Sequence, residues 1–97
     1  MKNSQFLERS NRMQLKDIQD LCENVFEAVF NKKLQGDLFG QNGEISSIEL
    51  IRYLAEIEDT LEDYEIEISI LSDKAFSYQH SPFRTIPDLA KYIKDLL

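Results

Sequence analysis

The chain has 97 residues, of which 42% are hydrophobic and 30% charged, and its net charge at pH 7 is −7. A chain of this length makes one domain and buries roughly two-thirds of its unfolded surface, so a stable core needs neither a disulfide nor a metal. Three glycines and two prolines are present. This composition is typical of a mostly helical globular domain.

The negative charge is concentrated in one part of the chain. Residues 44–67 contain nine acidic residues and one basic residue, whereas residues 1–43 contain six of each and residues 68–97 contain three acidic and four basic residues. A strongly acidic segment repels phosphate backbones and anionic lipid, so we expect neither nucleic acid nor a membrane surface as a partner. We expect a monomer that binds a basic patch on another protein.

Cysteine content and apolar runs indicate the compartment. The single cysteine, Cys22, cannot form an internal disulfide, and the sequence does not open with a charged and then apolar signal segment. The apolar runs are too short to span a bilayer. We therefore predict a cytoplasmic location, with Cys22 as a small buried hydrophobe on a helix.

The first predicted helix follows a loosely held extension, residues 1–12, and begins the folded domain, residues 13–97. From Met13 to about Lys32 apolar residues recur by threes and fours, which predicts a long helix with one apolar face. Its apolar positions are Leu15, Ile18, Leu21, Cys22, Val25, Phe26, Val29 and Phe30. Residues 33–45 hold all three glycines and predict a loop, with Leu34, Leu38 and Phe39 against the core.

The second predicted helix runs from Ser46 or Ser47 to about Asp63. Ser46 is the expected N-cap, and Glu49, three residues later, completes a capping box. Ser47 then lies at the first helical position and faces water. The predicted buried stripe consists of Ile48, Ile51, Leu54, Ile57 and Leu61.

The remaining residues predict a connector and two more helices. Residues 64–71 alternate like a half-buried strand, but no second run could pair with them, so we predict an extended connector. A short helix is predicted from Ser72 to about Tyr78. Thr85 caps the last helix, whose predicted inward residues are Ile86, Leu89, Ala90, Ile93, Leu96 and Leu97. The predicted fold is all-α, a four-helix bundle of three main helices and one short helix.

Two motifs and the order of the helices resemble the acyl carrier protein family, which includes peptidyl and D-alanyl carriers. Ile45-Ser46-Ser47-Ile48, followed by Ile57-Glu58, is similar to the family's L-D-S-L and its downstream apolar-acidic pair. Residues 83–93 are similar to the family's last helix. The resemblance covers roughly residues 13–97. Ser46 replaces the usual aspartate before the attachment serine and is a comparable N-cap.

The resemblance implies a carrier that catalyses no reaction itself. A phosphopantetheinyl transferase would attach 4′-phosphopantetheine, donated by coenzyme A, to Ser47. The thiol of this arm would hold acyl or aminoacyl groups for polyketide, nonribosomal peptide or fatty acid biosynthesis. A helix start suits the phosphodiester, because the dipole and the free amides there favour an anion. The residues implied in docking on basic surfaces of acyl- or aminoacyl-handling enzymes are Glu49, Ile51, Arg52, Ala55, Glu58, Asp59 and Glu62.

Other positions for the attachment motif stay open. Ser46 is a second candidate attachment site, although its side chain is expected to be engaged as the helix cap. Shifting the motif by three residues places Glu44 at the position of the serine. The protein would then be a carrier-like interaction module without the arm, binding a basic partner through residues 49–63.

Calcium binding and catalysis are the remaining hypotheses. Residues 42–49 resemble the back half of an EF-hand loop, but Leu38 and Gly40 lie where oxygen ligands are required. The only histidine, His80, is in a predicted turn without a neighbouring acid, nucleophile or metal-ligand spacing. We therefore expect neither a metal site nor an enzyme.

Overall fold

The computed structural model describes residues 13–70 and 82–97. These ranges contain three helices and no strand, which confirms the all-helical class. The helices are α1 (Leu15–Phe30), α2 (Ser47–Glu62) and α3 (Ile86–Leu96). α1 packs against both α2 and α3, so the first helix is the central one. No helix in the described ranges is long and apolar enough to cross a bilayer.

Three of the predictions concern residues that the structure does not describe. The N-terminal extension, residues 1–12, the short helix predicted from Ser72 to Tyr78, and His80 all lie outside the described residues. The fourth helix of the predicted bundle is therefore not confirmed.

Local hydrogen bonds determine where α1 and α3 begin and end. The Gln14 amide donates to Oδ2 of Asp17 at 3.1 Å at the start of α1. The cap at the other end of α1 is Asn31, which is left-handed with φ of 57°, a conformation that asparagine tolerates after a helix. At the start of α3, Oγ1 of Thr85 accepts a hydrogen bond from the Asp88 amide at 3.2 Å. The predicted cap Thr85 is confirmed.

The core is a single cluster to which all three helices contribute. Burial of these apolar side chains is the main favourable term in folding. The buried helical residues are Ile18, Cys22, Val25 and Phe26 from α1, Leu50, Tyr53, Leu54, Ile57 and Leu61 from α2, and Ile86, Leu89, Ala90 and Ile93 from α3.

Tyr53 joins α2 to α1 inside this core. Its ring meets the ring of Phe26 edge-on, with 5.6 Å between centroids. Its hydroxyl donates to the carbonyl oxygen of Cys22 at 2.6 Å, so the buried hydroxyl has a partner. Burial raises the pKa of Tyr53 and raises the pKa of the Cys22 thiol to about 12, which keeps the thiol protonated and unreactive. The prediction that Cys22 is a buried hydrophobe is confirmed.

Several predicted core positions are exposed instead. Ile48 and Ile51 retain 81% and 46% of their exposure, so their assignment to the buried stripe was wrong. Each residue turns a helix by about 100°. Ile48 and Ile57, nine residues apart, therefore lie about half a turn apart and cannot share a face. Three residues predicted to be buried at helix ends are likewise exposed: Leu15, Leu96 and Leu97.

The loop between α1 and α2 is tied to the segment before α3. Leu38 is fully buried, and Leu34 and Phe39 are partly buried against the core, as predicted. The Leu38 amide donates to the carbonyl oxygen of Arg84 at 2.7 Å. Nε of Arg84 in turn lies 3.4 Å from Oδ2 of Asp37. This loop is therefore hydrogen-bonded to the segment that precedes α3.

The segment predicted as an extended connector, residues 64–71, begins in a turn at Tyr64 and Glu65, and its last residue lies outside the described residues. Residues 66–70 have no regular secondary structure, and Ile66 and Ile70 are buried. Oε2 of Glu58 accepts a hydrogen bond from the Ile70 amide at 2.7 Å. Thus the connector is fixed to α2 by a side chain as well as by apolar contacts.

Gly43 leads to a first testable prediction. A Cβ at position 43 would lie 2.6 Å from the carbonyl carbon of Phe39 and 2.7 Å from its amide nitrogen, so the backbone would have to move. We expect Gly43→Ala to lower the free energy of unfolding by about 1–3 kcal/mol, measured by urea denaturation. The control is Gly36→Ala, whose Cβ would meet only Oε2 of Glu44 at 3.9 Å. Equal losses in both variants would contradict the prediction.

Candidate functional site

A reciprocal pair of hydrogen bonds begins α2. Ser46 is extended, with φ of −81° and ψ of 173°, and its Oγ accepts a hydrogen bond from the Glu49 amide at 3.2 Å. Oε1 of Glu49 accepts a hydrogen bond from the Ser46 amide at 2.9 Å. The predicted capping box is therefore confirmed, and two amides at the helix start are satisfied within the chain.

Ser47 is the first helical residue, and its side chain is exposed. Its position agrees with the prediction, whereas the Ser46 hydroxyl is engaged in the cap. Ile48 follows it with 81% exposure, and Ile51 lies one turn further with 46% exposure. The Ser47 hydroxyl thus lies at the positive end of the helix dipole, beside two exposed apolar side chains.

The predicted docking residues form an outward stripe on α2. Spacings of three and four residues place Ile51, Ala55, Asp59 and Glu62 on one helical face, with Arg52 beside them and Glu49 at its edge. Of the predicted set, Glu49, Ile51, Arg52, Ala55, Asp59 and Glu62 are exposed. Glu58 differs, because it is half-buried and its carboxylate holds the Ile70 amide. α2 extends about 22 Å from Ser47 to Glu62, so these residues cover a long surface rather than a compact site.

Glu44 has a role that the sequence did not indicate. Its Oε2 accepts hydrogen bonds from the amides of Gln35 and Gly36, both at 2.8 Å. Its Oε1 lies 3.7 Å from Nζ of Lys32. One carboxylate therefore holds the two ends of the loop together, immediately before the capping box. Partners eight and nine residues away leave no periodic pattern, so sequence reasoning had no signal for this contact.

The EF-hand hypothesis requires free carboxylates in the same loop. Glu49, the closing ligand in that hypothesis, directs Oε1 to the Ser46 amide, and Glu44 is bound to loop amides. Within residues 13–70 and 82–97, no group of three or more His, Cys, Asp or Glu side chains could hold a metal ion. The carboxylate that would close the calcium loop is thus engaged in the capping box instead.

Compared with protein-family models, with curated proteins and with solved structures, the chain gives no match. The similarity to carrier proteins therefore depends on the two motifs and the helix order described above.

The capping box predicts a pH dependence of stability. The hydrogen bond from the Ser46 amide, and secondly the Ser46 hydroxyl, lower the pKa of the Glu49 carboxyl below its usual 4.5. A depressed folded-state pKa contributes stability at neutral pH that is lost as the pH falls through that pKa. Glu49→Gln should therefore lower the midpoint of thermal unfolding at about pH 7 but not at about pH 3, as followed by circular dichroism.

The matched control is Glu56→Gln. Glu56 is an exposed glutamate on the same helix, two turns after Glu49, and the substitution removes the same charge. If both variants changed the pH dependence of the unfolding midpoint equally, the effect would come from net charge rather than from the capping box.

Proposed function

We propose that the protein is a carrier protein that holds an acyl or aminoacyl group as a thioester on a 4′-phosphopantetheine arm attached to Ser47. The observation that best supports this proposal is the exposed Ser47 side chain at the first position of α2. In the loading step, Oγ of Ser47 attacks the phosphopantetheine phosphorus of coenzyme A, adenosine 3′,5′-bisphosphate leaves, and the hydroxyl proton passes to a base of the transferase. The phosphodiester then lies at the positive end of the helix dipole.

The outward stripe of α2 supports recognition by basic partner enzymes in this proposal. Glu49, Asp59 and Glu62 contribute negative charge, and Ile51 and Ala55 contribute exposed apolar surface. Exposed charges of this kind mainly change association rates and their salt dependence. The partners are a phosphopantetheinyl transferase and acyl- or aminoacyl-handling enzymes, in a cytoplasmic pathway of polyketide, nonribosomal peptide or fatty acid type.

Intact mass spectrometry tests the position of the arm. After incubation with coenzyme A and a permissive phosphopantetheinyl transferase, we expect the protein to gain the mass of one phosphopantetheine. Ser47→Ala should abolish this gain. The substitution should change the free energy of unfolding by no more than about 0.5 kcal/mol, because the side chain is exposed and is not the helix cap.

Ser46→Ala is the matched control. It should still accept the arm, although loss of the cap should destabilise it by about 0.5–2 kcal/mol. A mass gain that persists in Ser47→Ala and disappears in Ser46→Ala would move the attachment site to Ser46. No mass gain with several transferases would contradict the proposal.

A second candidate function is a carrier-like interaction module without the arm, in which Glu44 occupies the position of the serine. The difference in burial between Ile45 and Ile48 favours it. The family motif has an apolar residue directly after the serine, and a recurring apolar residue is most simply explained by packing in the core. If Ser47 is the serine, that residue is Ile48, which is 81% exposed; if Glu44 occupies the position, it is Ile45, which is 6% exposed.

The substitution Glu44→Ser separates the two candidates. In the armless module the wild-type protein gains no mass with coenzyme A and a transferase, whereas Glu44→Ser gains one phosphopantetheine, located at position 44 by peptide mapping. Glu44→Gln is the control, because it removes the same charge without introducing a hydroxyl. Modification of the wild-type protein at Ser47 would exclude the armless candidate. Circular dichroism checks folding, because both variants weaken the contacts with Gln35 and Gly36.

A further inference from the structure

A groove lies at the end of α2 opposite to Ser47. Its volume is about 800 Å³, and its walls are the last turn of α2, the connector and the last turn of α3. The lining residues are Glu62, Glu65, Ile66, Glu67, Ile68, Leu96 and Leu97. α2 separates this groove from Ser47 by about 22 Å, so it is distinct from the proposed attachment site, although Glu62 belongs both to the groove and to the end of the outward stripe.

The groove exposes apolar surface that the core does not use. Leu96 and Leu97 retain 40% and 43% of their exposure, and Ile68 is only partly buried. Adjacent exposed apolar residues with a polar rim are typical of interaction surfaces.

The charged side chains among the described residues that line the groove are all negative. Glu62, Glu65 and Glu67 are exposed, and no basic residue is among the described residues that line the groove. Lys94, in the last turn of α3, is half-buried, and its ammonium donates to the carbonyl oxygen of Met13 at 2.9 Å. Both α2 and α3 end at this groove, and the carboxyl end of a helix dipole is negative. The groove therefore favours a cation.

We propose that this groove binds a short segment of another protein in which lysine or arginine alternates with large apolar residues. The apolar side chains would contact Ile68, Leu96 and Leu97, and the basic side chains would pair with Glu62 and Glu67. An anionic lipid surface does not fit, because three carboxylates would face it. The proposal does not depend on the arm at Ser47.

The probe is a synthetic peptide of about eight residues in which lysine and leucine alternate. Titration of the ¹⁵N-labelled full-length chain should shift the amide signals of residues 62–68 and of Leu96 and Leu97, and leave that of Ser47 in place. Leu96→Ser with Leu97→Ser should weaken binding roughly threefold to tenfold. Glu62→Gln with Glu67→Gln should have an effect of similar size. All four residues are exposed, so these variants should fold.

The matched control is Glu23→Gln with Glu27→Gln, which removes two exposed charges from α1. This variant should bind the peptide as the wild type does. Equal weakening by both double glutamine variants would indicate general attraction to an acidic protein and would overturn the proposal. Binding that is unchanged in the leucine variants would overturn it as well.

Two other occupants would also overturn the proposal. The first is the chain's own N-terminal segment. It would be the occupant if replacing Arg9 and Arg12 by glutamine in the full-length chain shifted the amide signals of the groove residues in the absence of peptide. If sedimentation showed a dimer that Leu96→Ser and Leu97→Ser dissociate, the occupant would be a second copy.

Discussion

The start of α2 depends on how the preceding loop is held. The Glu44 carboxylate binds the amides of Gln35 and Gly36, and the Ile45 amide donates to the carbonyl oxygen of Leu38 at 3.1 Å. If the helix began one turn earlier, residues 44 and 45 would be helical and these contacts would be lost. The two ends of the loop would then lose the hydrogen bonds that hold them together. The capping box between Ser46 and Glu49 also fixes the start of α2, through hydrogen bonds within the first turn of the helix.

Fixing the start of α2 also fixes which side chains face the core. With Ser47 as the first helical residue, Leu50, Leu54, Ile57 and Leu61 point inward, and Tyr53 reaches the Cys22 carbonyl on α1. The same helix start places Ile48 on the opposite, solvent-facing side of α2. One helix therefore provides the largest share of the core and the most exposed isoleucine of the described residues, and both follow from a single choice of N-cap.

The sequence predicted features that depend on short-range chemistry. Capping by Ser46 and Thr85 depends on residues three positions apart, so the hydrogen-bonding partners are visible in the sequence. The loop was likewise predicted from its glycines, and the connector from an alternation of polar and apolar residues that has no second strand to pair with. The all-helical class followed from apolar periodicity, and the predicted fourth helix lies in residues that the structure does not describe.

Other features depend on contacts that have no local pattern. Apolar residues on α2 fit both a series through Ile48 and a series through Leu50, and only packing against α1 distinguishes them. Leu15, Leu96 and Leu97 continue helical patterns past the point where a neighbouring helix can cover them. The Glu44 and Glu58 carboxylates bind backbone amides eight to twelve residues away. No spacing rule would have predicted their partners.

Charge at the start of α2 connects the capping box with the proposed arm. The Glu49 carboxylate already occupies the Ser46 amide and lowers the positive potential there. A phosphodiester on Ser47 would add a negative charge two residues from Glu49, and the repulsion is weakened by water because both groups are exposed. An aspartate at position 46 would add a third negative charge, whereas Ser46 provides the same cap without one. If Ser47 carries the proposed arm, Ser46 in place of an aspartate would therefore relieve crowding of negative charge at the attachment site while leaving the helix start intact.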